Sequence, residues 1–267
     1  MRVGVFGAAG RMGATVSAAV SEASDLELVC AVDPAAAGRS LDEVASIRGS
    51  GLVIAPEPRA ATEAGAEVVV DFTVAKAARA NLSWCAEHGV HVVCGTTGLV
   101  ASDLEAIRQW FSHKANAILA PNFSIGAALM MRCAELCAPF VLGAEVVELH
   151  HDKKRDAPSG TSLETIRRMQ AARDAANGGA WAADPTEKEV LAGARGATSE
   201  TGVHVHSVRL PGLVAHQEVL FGLLGETLSI RHDSLDRASF MPGVLLAVRR
   251  VGELEGLTLG LADLLGL

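Results

Sequence analysis

The sequence contains no tyrosine, few aromatic residues of any kind and no long apolar run. Aromatic side chains make up 4% of its 267 residues, and Trp84, Trp110 and Trp181 have no spacing that suggests a binding cage. No apolar stretch reaches the roughly 18 residues that a membrane-spanning helix needs, so we expect no membrane partner. The chain opens directly on a strand-like segment without a signal peptide, and we therefore expect a cytoplasmic protein.

Positive charge is also scarce. The chain carries 23 lysine and arginine residues against 31 aspartate and glutamate residues, which gives a formal net charge of −8. A nucleic-acid-binding surface needs clustered basic residues, so we expect no nucleic-acid partner. An acidic protein that binds anions must do so at a local positive site, and Lys153, Lys154 and Arg155 form the candidate.

Neither a disulfide framework nor a metal site is expected. The five cysteines are odd in number and lie in apolar contexts, which favours buried free thiols. Cys133 and Cys137, four residues apart on a predicted helix, are interpreted as core packing because no Cys/His partner set accompanies them, with a metal or redox role as the alternative. His204 and His206 share one face of a predicted strand. We interpret this pair as an exposed or subunit-facing surface, with a metal pair as the alternative.

Residues 1–121 alternate strand and helix signals. Apolar strands joined by helices indicate an α/β fold with a parallel sheet that is covered on both faces. The predicted strands are Arg2–Phe6, Glu27–Val32, Leu52–Ala55, Glu67–Phe72, Val90–Cys94 and Ala117–Leu119. The predicted helices are Arg11–Ser21, Ala75–His88 and Asp103–Lys114.

The pattern changes after Asn122. Successive strands without intervening helices indicate a second, α+β region with an antiparallel or mixed sheet. The predicted elements are helix Ser124–Cys137, strand Ala144–His150, helix Ser162–Ala175, and strands Val203–Leu210, Glu218–Leu224 and Thr227–Arg231. A last helix is expected around Arg237–Val251, and Pro242 predicts that it is kinked or starts late.

The first strand runs into a glycine-rich turn and then a helix, which is the arrangement that a dinucleotide pyrophosphate requires. Glycines let the backbone approach the phosphates, and the helix N-terminus supplies N–H donors and positive potential. The spacing of Gly7, Gly10 and Gly13 is G-x-x-G-x-x-G rather than G-x-G-x-x-G. The alternative is a tight turn without a ligand.

Asp33 ends the second strand, where a carboxylate can bind the ribose hydroxyls. Because a carboxylate repels a 2′-phosphate, we expect NADH to be preferred, with NADPH possible through Arg11. Three later strand ends also carry candidate cofactor contacts, since ligands of open parallel sheets bind beyond the carboxyl ends of the strands. For each of these the alternative is an ordinary turn with a helix cap. The candidates are Phe72 and Thr73, Gly95, Thr96 and Thr97, and Ala120, Pro121, Asn122 and Phe123.

The stretch from His150 to Thr161 combines two histidines, a lysine cluster and a Ser-Gly-Thr turn before a helix. Histidine and lysine can donate protons near neutral pH when their pKa values are tuned. A turn that opens a helix presents backbone N–H groups to a carboxylate or phosphate. The stretch therefore indicates an acid beside an anion site, and the alternative is a solvated basic loop that caps a helix.

The ordered set of motifs resembles the dihydrodipicolinate reductase family, also called 4-hydroxy-tetrahydrodipicolinate reductases. The matching motifs are GAAGRMG (7–13), DFT (71–73), GTTG (95–98), APNFSIG (120–126) and ELHHDKKRDAPSGT (148–161), and the likeness continues through RLPG (209–212) and AHQEV (215–219). Some members carry alanine in place of Pro121. The resemblance implies reduction of a small cyclic imine-type dicarboxylate with NAD(P)H, in the diaminopimelate route to lysine, and no metal cofactor.

The resemblance also implies residue roles. His150 matches the catalytic proton donor and Lys154 a second donor, while His151, Gly160 and Thr161 match substrate-binding positions. The cofactor positions are Gly7, Ala8, Ala9, Gly10, Arg11, Met12 and Asp33, together with Gly95–Thr97 and Ala120–Phe123.

The family's plan further implies a Rossmann-type doubly wound dinucleotide domain over residues 1–121. A substrate-binding and oligomerisation domain over residues 122–231 would carry a mixed sheet that builds a homotetramer. A C-terminal segment, about 232–267, would return to the first domain.

Two other functions fit parts of the sequence. A dehydrogenase of similar plan could act on an aldehyde or a sugar, but it would have no need of H-H-x-x-K beside S-G-T. A redox-sensing protein could bind NADH and regulate a partner, although the acidic charge and the lack of a DNA-binding motif weigh against a repressor.

Overall fold

A computed structural model describes residues 1–266, apart from the side chain of Asp263. The chain divides into two compact units. The first contains Met1–Ile125 and the C-terminal segment that begins at Arg237, and the second contains Gly126–Asp236. None of the helices in the described part of the chain is long and apolar enough to cross a bilayer.

Strands and helices are numbered in chain order through both units. The strands are β1 (Arg2–Phe6), β2 (Glu27–Val32), β3 (Val68–Asp71), β4 (His91–Cys94), β5 (Ala117–Leu119), β6 (Gly143–His150), β7 (Ala197–Thr198), β8 (His204–Arg209), β9 (Ala215–Leu223), β10 (Glu226–Ser234) and β11 (Leu257–Leu259). The α-helices are α1 (Arg11–Glu22), α2 (Leu41–Ala45), α3 (Arg59–Glu63), α4 (Ala75–His88), α5 (Ala101–Trp110), α6 (Ile125–Cys137), α7 (Gly160–Ala175), α8 (Met241–Arg250) and α9 (Ala262–Leu265).

The first unit is built on a six-stranded parallel sheet in the order β11-β5-β4-β3-β1-β2. Strand β3 is buried along its whole length, as the run of three valines before Asp71 predicts. The strand order reverses between β1 and β3, and right-handed crossovers therefore place helices on both faces. Ligands of such sheets bind beyond the carboxyl ends of the strands at that reversal. The predicted Rossmann-type parallel sheet is confirmed.

The second unit is built on a five-stranded mixed sheet in the order β10-β9-β6-β8-β7. Strands β6 and β8 are parallel, and the other neighbours are antiparallel. Ile166 and Met169 of α7 belong to the same buried core as Val146, Val219 and Phe221 of the sheet. The predicted mixed sheet is confirmed, and β6 lies at its centre with its end, His150, leading into the His/Lys loop.

Several predicted elements differ from the structure at their ends. Segment 52–55, predicted as a strand, makes only two isolated bridges, Ser40 with Val53 and Val32 with Ala55. Helix α5 begins at Ala101 because the Asp103 carboxylate accepts a hydrogen bond from the Val100 amide, at 3.1 Å.

Two further predictions can be compared with the structure. One concerns the last predicted helix, and the other concerns the burial of the cysteines. Helix α8 starts late, with Pro242 in its first turn, and a short 3₁₀ turn precedes it. The interpretation of Cys133 as core packing is wrong, because its side chain is exposed, whereas Cys30, Cys85 and Cys94 are buried free thiols as predicted. Burial raises the pKa of the Cys30 thiol to about 11.

Candidate active site

The glycine-rich turn after β1 forms a cradle that only glycines permit. Gly7 adopts a φ of +74°, and its amide donates to the carbonyl of Val32 at 2.8 Å. A Cβ atom at Gly7 would lie 2.8 Å from the carbonyl oxygen of Phe72, and one at Gly13 would lie 2.0 Å from the carbonyl oxygen of Gly7. Glycine at these two positions therefore lets the loop approach β3 and lets α1 approach the loop.

Helix α1 begins at this cradle without a side-chain cap. Its N-cap residue is Gly10, which has no side chain to occupy the amides of Arg11 and Met12 in the first turn. Those amides and the helix dipole suit a phosphate group. Within the loop Ala8 is buried, and Arg11 at the start of α1 is exposed. The cradle fits the pyrophosphate of a dinucleotide.

Asp33 lies beside the cradle at the end of β2. Its Oδ2 accepts a hydrogen bond from the Ala9 amide at 3.0 Å, and its Oδ1 accepts one from the Ala35 amide at 3.1 Å. The carboxylate is thereby fixed next to the glycine loop. This is the geometry in which an acidic residue binds the ribose hydroxyls of a nucleotide.

The next strand ends are organised by a buried carboxylate that sequence reasoning did not identify as a site residue. Asp71, which is fully buried, accepts hydrogen bonds from the Thr73 amide at 2.9 Å, the Thr73 hydroxyl at 2.7 Å and the Thr96 hydroxyl at 3.0 Å. Asn81 of α4 donates to its other oxygen at 2.7 Å. The two threonine hydroxyls and the Thr73 amide therefore bind Asp71, which holds the loops after β3 and β4 together.

Aromatic rings form an apolar wall at the same edge of the sheet. The ring centroids of Phe72 and Phe123 are 5.8 Å apart, and a Cβ atom at Gly95 would lie 2.0 Å from the Phe72 ring. Ala120 is buried, and its amide donates to the Cys94 carbonyl at 3.0 Å. The remaining predicted contacts lie on the same loops: Thr97 and Pro121 are exposed, and the Asn122 side chain accepts the Ser124 amide at 2.8 Å.

In the second unit, His150 ends the central strand and is held by a buried carboxylate. Its Nδ1 lies 2.5 Å from Oε2 of Glu148, two residues earlier on the same face of β6. Glu148 is fully buried. Arg209 of the neighbouring strand β8 donates two hydrogen bonds to the Glu148 carboxylate, 2.7 Å from Nη2 to Oε1 and 2.8 Å from Nη1 to Oε2.

This cluster shifts the pKa values of its members. Burial lowers the pKa of His150, and the positive charges of Lys154 and Arg209 lower it further, against the raising effect of Glu148; the net result is below the ordinary value. Burial raises the pKa of Glu148, but hydrogen bonds from Arg209, Ser207 and His150 lower it more, so the net pKa is depressed. Glu148 is therefore an anion near neutral pH, and a minor fraction of His150 is protonated.

The loop after β6 places one lysine inward and its other cations outward. The side chain of Lys154 is 19% exposed, and its Nζ lies 2.6 Å from Oδ2 of Asp156. Lys153 and Arg155 are exposed. The carbonyl of Asp156 accepts a hydrogen bond from Nη2 of Arg209 at 2.7 Å, which ties the loop to β8.

Helix α7 opens at the predicted Ser-Gly-Thr turn. Ser159 is its N-cap, and its Oγ accepts the Ser162 amide at 3.2 Å, so the cap uses neither the Gly160 nor the Thr161 amide. The Ser162 hydroxyl donates to the side-chain oxygen of Gln217 at 2.8 Å.

Gln217 of β9 lies directly opposite Glu148 in the sheet. The structure thus brings the helix start and the His150 strand end to adjacent positions. His151 lies between them in the chain, half-buried, and its carbonyl accepts the Lys154 amide at 3.2 Å.

The other two histidines singled out in the sequence have acidic partners. His204 lies 3.3 Å from Asp184, and His206 lies 2.7 Å from Glu145. No cluster of three or more His, Cys, Asp or Glu side chains suited to a metal ion occurs among the side chains that the structure describes.

Comparison with known proteins gives two family models that together cover nearly the whole chain. A family model for the N-terminus of dihydrodipicolinate reductase matches residues 1–123, and a model for its C-terminus matches residues 126–265. The chain belongs to the dihydrodipicolinate reductase family. The family predicted from the motifs is therefore confirmed.

Relatives within the dihydrodipicolinate reductase family match over their whole length. The 4-hydroxy-tetrahydrodipicolinate reductase of Nocardia farcinica is 50% identical over 269 residues, which cover 100% of this chain and 99% of that protein. The enzyme of the same name from Mycobacterium marinum is 48% identical, with 100% of both chains covered. A solved structure, dipicolinate-bound dihydrodipicolinate reductase from Paenisporosarcina sp. TG-14, is 36% identical with a TM-score of 0.85 over 98% of each chain.

Within this family frame, sequence reasoning missed three residues that organise the site: Asp71, Glu148 and Arg209. A signal existed for Glu148, because a residue two positions before His150 on a strand shares its face. Arg209 carried no such signal. It reaches Glu148 because β8 pairs with β6, which places Arg209 opposite His150, and that register is set by the fold and not by local spacing.

Proposed function

We propose that this protein reduces 4-hydroxy-tetrahydrodipicolinate, or its dehydrated form dihydrodipicolinate, to tetrahydrodipicolinate in diaminopimelate and lysine biosynthesis. One observation carries the proposal: the His150–Glu148–Arg209 cluster, Lys154 and the start of α7 are assembled at one end of the mixed sheet. Two cations, an imidazole and a helix N-terminus suit a small cyclic dicarboxylate. The dipicolinate bound by the Paenisporosarcina relative supports a substrate of this class.

The first unit supplies the binding site for the reduced nicotinamide dinucleotide. When bound, that cofactor provides the hydride that adds to the substrate ring. Gly7–Met12 would hold the pyrophosphate, Asp33 the adenosine ribose, and the apolar wall of Phe72 and Phe123 would shield the nicotinamide end from water. The fixed carboxylate of Asp33 disfavours a 2′-phosphate, so NADH is the preferred cofactor and NADPH, with Arg11 exposed nearby, a weaker one.

The second unit supplies the proton and holds the substrate. Negative charge that develops toward the ring nitrogen and its neighbouring carbon is met by the Lys154 ammonium, and protonated His150 donates the proton. Gly160 and Thr161 orient a substrate carboxylate at the start of α7, with His151 beside it. No metal takes part in this scheme.

The proposal is tested by a reductase assay that compares the product of dihydrodipicolinate synthase with a panel of aldehydes and sugars as substrates. We expect turnover only on the cyclic imine, and a lower KM for NADH than for NADPH.

His150→Ala and Lys154→Ala should each lower kcat by about 10²- to 10⁴-fold. His151→Ala and Thr161→Ala should mainly raise KM, and Lys153→Ala, an exposed neighbour, serves as the control.

Three outcomes would contradict these assignments. Near-normal turnover by both His150→Ala and Lys154→Ala would show that the proposed roles are wrong. Activity on aldehydes or sugars alone would indicate that the protein is instead a dehydrogenase of similar plan that acts on those substrates. NADH binding without turnover of any cyclic imine would favour a redox-sensing protein.

We also propose that the protein works in the cytoplasm as a homotetramer. In the second unit Leu220 of β9, Leu228 of the outermost strand β10 and Leu224 of the turn between them are exposed, which supports contact between copies at this edge of the sheet. Sedimentation analysis of the purified protein measures the number of subunits.

A further inference from the structure

The carboxylate of Glu148 in the second unit is fully buried and is bound by Arg209, His150 and Ser207. Both oxygens of Glu148 are bonded by Arg209, and one of them also meets Nδ1 of His150. A buried ion pair is weak evidence for stability, because apolar residues of similar volume often stabilise a core as well. The specific geometry of the Glu148 contacts therefore calls for another explanation.

We propose that Glu148 and Arg209 are positioning residues that fix the tautomer of His150, so that Nδ1–H binds Glu148 and Nε2 exchanges the proton with the substrate. The inference rests on the proposed function, in which His150 is the proton donor. Because an ionised carboxylate has no proton to give, the hydrogen bond to Glu148 must be donated by Nδ1. The neutral imidazole then carries its free lone pair on Nε2.

Glu148 also provides a counter-charge for the reactive form. When Nε2 takes up a proton, the imidazolium lies 2.5 Å from an anion that is already in place. Arg209 prevents that carboxylate from rotating, since a bidentate fork defines the plane of both groups. The same arginine donates to the Asp156 carbonyl, so one side chain holds both His150, through Glu148, and the loop that carries Lys154.

The charged groups around His150 set the direction of its pH dependence. They are Glu148 on β6, Arg209 on β8 and Lys154 in the following loop, with Asp156 on Lys154; the β9 residue opposite His150 is Ala215. Only Glu148 favours the imidazolium directly. Removing its charge should lower the pKa of His150 further below the ordinary value. Because the donor must be protonated, the pH at which kcat falls as the solution becomes more alkaline should then shift to a lower value.

The first test is made on the wild-type protein without substrate. NMR of protein labelled with ¹⁵N-histidine reports which ring nitrogen is protonated, and the His150 signals are those lost in His150→Gln. We expect the neutral ring to carry its proton on Nδ1. A neutral ring protonated on Nε2 overturns the proposal, whether or not the protein reduces the proposed substrate.

The second test compares Glu148→Gln with Glu145→Gln. Glu145 lies on the same strand and also binds an arginine and a histidine, Arg195 and His206, each at 2.7 Å, but it has no part in the proposed chemistry. We expect Glu148→Gln to lower kcat at neutral pH by about 10- to 100-fold, to shift its pH profile toward acid, and to leave the NADH dissociation constant unchanged. Glu145→Gln should change none of these.

Two results would overturn the positioning role. One is a Glu148→Gln profile with an unshifted pH limb, and the other is an equal loss in Glu145→Gln, which would indicate a general effect of removing a carboxylate from β6. If Glu148→Gln does not fold, Arg209→Lys replaces it: loss of the fork should produce a mixture of His150 tautomers, and a spectrum identical to the wild type would contradict the proposal.

Discussion

Asp156 forms an ion pair with Lys154, the lysine that we expect to contact the substrate. Its Oδ2 lies 2.6 Å from Nζ of Lys154, while the Asp156 side chain is 66% exposed and the lysine side chain 19% exposed. The hydrogen bond from Lys154 lowers the pKa of Asp156, so this carboxylate is charged at neutral pH. A dicarboxylate substrate must therefore compete with Asp156 for the ammonium group.

Asp156→Asn should for this reason lower KM for the substrate. Exposed ion pairs contribute ~0.2–1 kcal/mol, so the expected decrease is up to about five-fold. Steady-state kinetics with saturating NADH measures it. Asp152→Asn, an exposed position in the same loop, removes the same charge without touching Lys154 and is the control. An unchanged or higher KM in Asp156→Asn would show that the pair does not compete with the substrate.

At the scale of single elements, the close approach of α1 to the loop after β1 defines the cofactor cradle. Alanine has a higher helix propensity than glycine by about 1 kcal/mol, so propensity alone predicts that Gly13→Ala stabilises α1. The Cβ atom, however, would lie 2.0 Å from the carbonyl oxygen of Gly7 and 2.8 Å from Cα of Ala8. Both contacts are with backbone, which cannot rotate away as a side chain would.

We therefore expect Gly13→Ala to weaken NADH binding by at least about ten-fold and to lower the free energy of unfolding by about 1–3 kcal/mol, because overpacking outweighs propensity. Fluorescence titration with NADH and urea unfolding measure the two effects. Gly252→Ala is the control in the same unit, since the nearest atom to its Cβ, Nε2 of His91, would be 3.9 Å away. Wild-type affinity and stability in Gly13→Ala would refute the proposed fit of the cradle.

The same scale shows which elements local sequence predicts. Helix α4 has the predicted bounds because its apolar face ends at Gly89, whose φ of +72° closes the helix. Strand β1 also has its predicted bounds, because a short apolar run ends at the glycine turn.

Elements and contacts that depend on distant partners could not be predicted in this way. The three-residue strand β11 exists only through its pairing with β5. The motif likewise indicated His150 and Lys154, whereas the Arg209 contact depends on the register of β8 beside β6, and Asp71 was visible only as part of a strand end.

At the scale of the whole molecule, half-buried histidines link stability to pH. Burial lowers the pKa values of His91, His150 and His232 below the ordinary range, with smaller contributions from neighbouring charges. As the pH falls through the ordinary histidine pKa, about 6.5, the unfolded chain takes up protons before the folded one. The free energy of unfolding therefore decreases with acidification, and the decrease continues until the depressed folded-state pKa values are passed.

His91 lies where this effect can be isolated. Its Nδ1 accepts the Asn116 amide at 3.0 Å, and Asn116 in turn donates to the Val251 carbonyl and accepts the Gly256 amide, so protonation of Nδ1 breaks a contact on which the C-terminal segment depends. Asparagine retains an acceptor near the Nδ1 position and cannot titrate in this range.

We expect His91→Asn to reduce the loss of stability between about pH 7.5 and about pH 5.5, compared with the wild type, when urea midpoints are measured at both pH values. His113→Asn, at an exposed position, should retain the wild-type slope. A His91→Asn protein with the full wild-type pH dependence would assign the loss to the other half-buried histidines, and a wild type that gains stability on acidification would show that burial does not control histidine protonation in this protein.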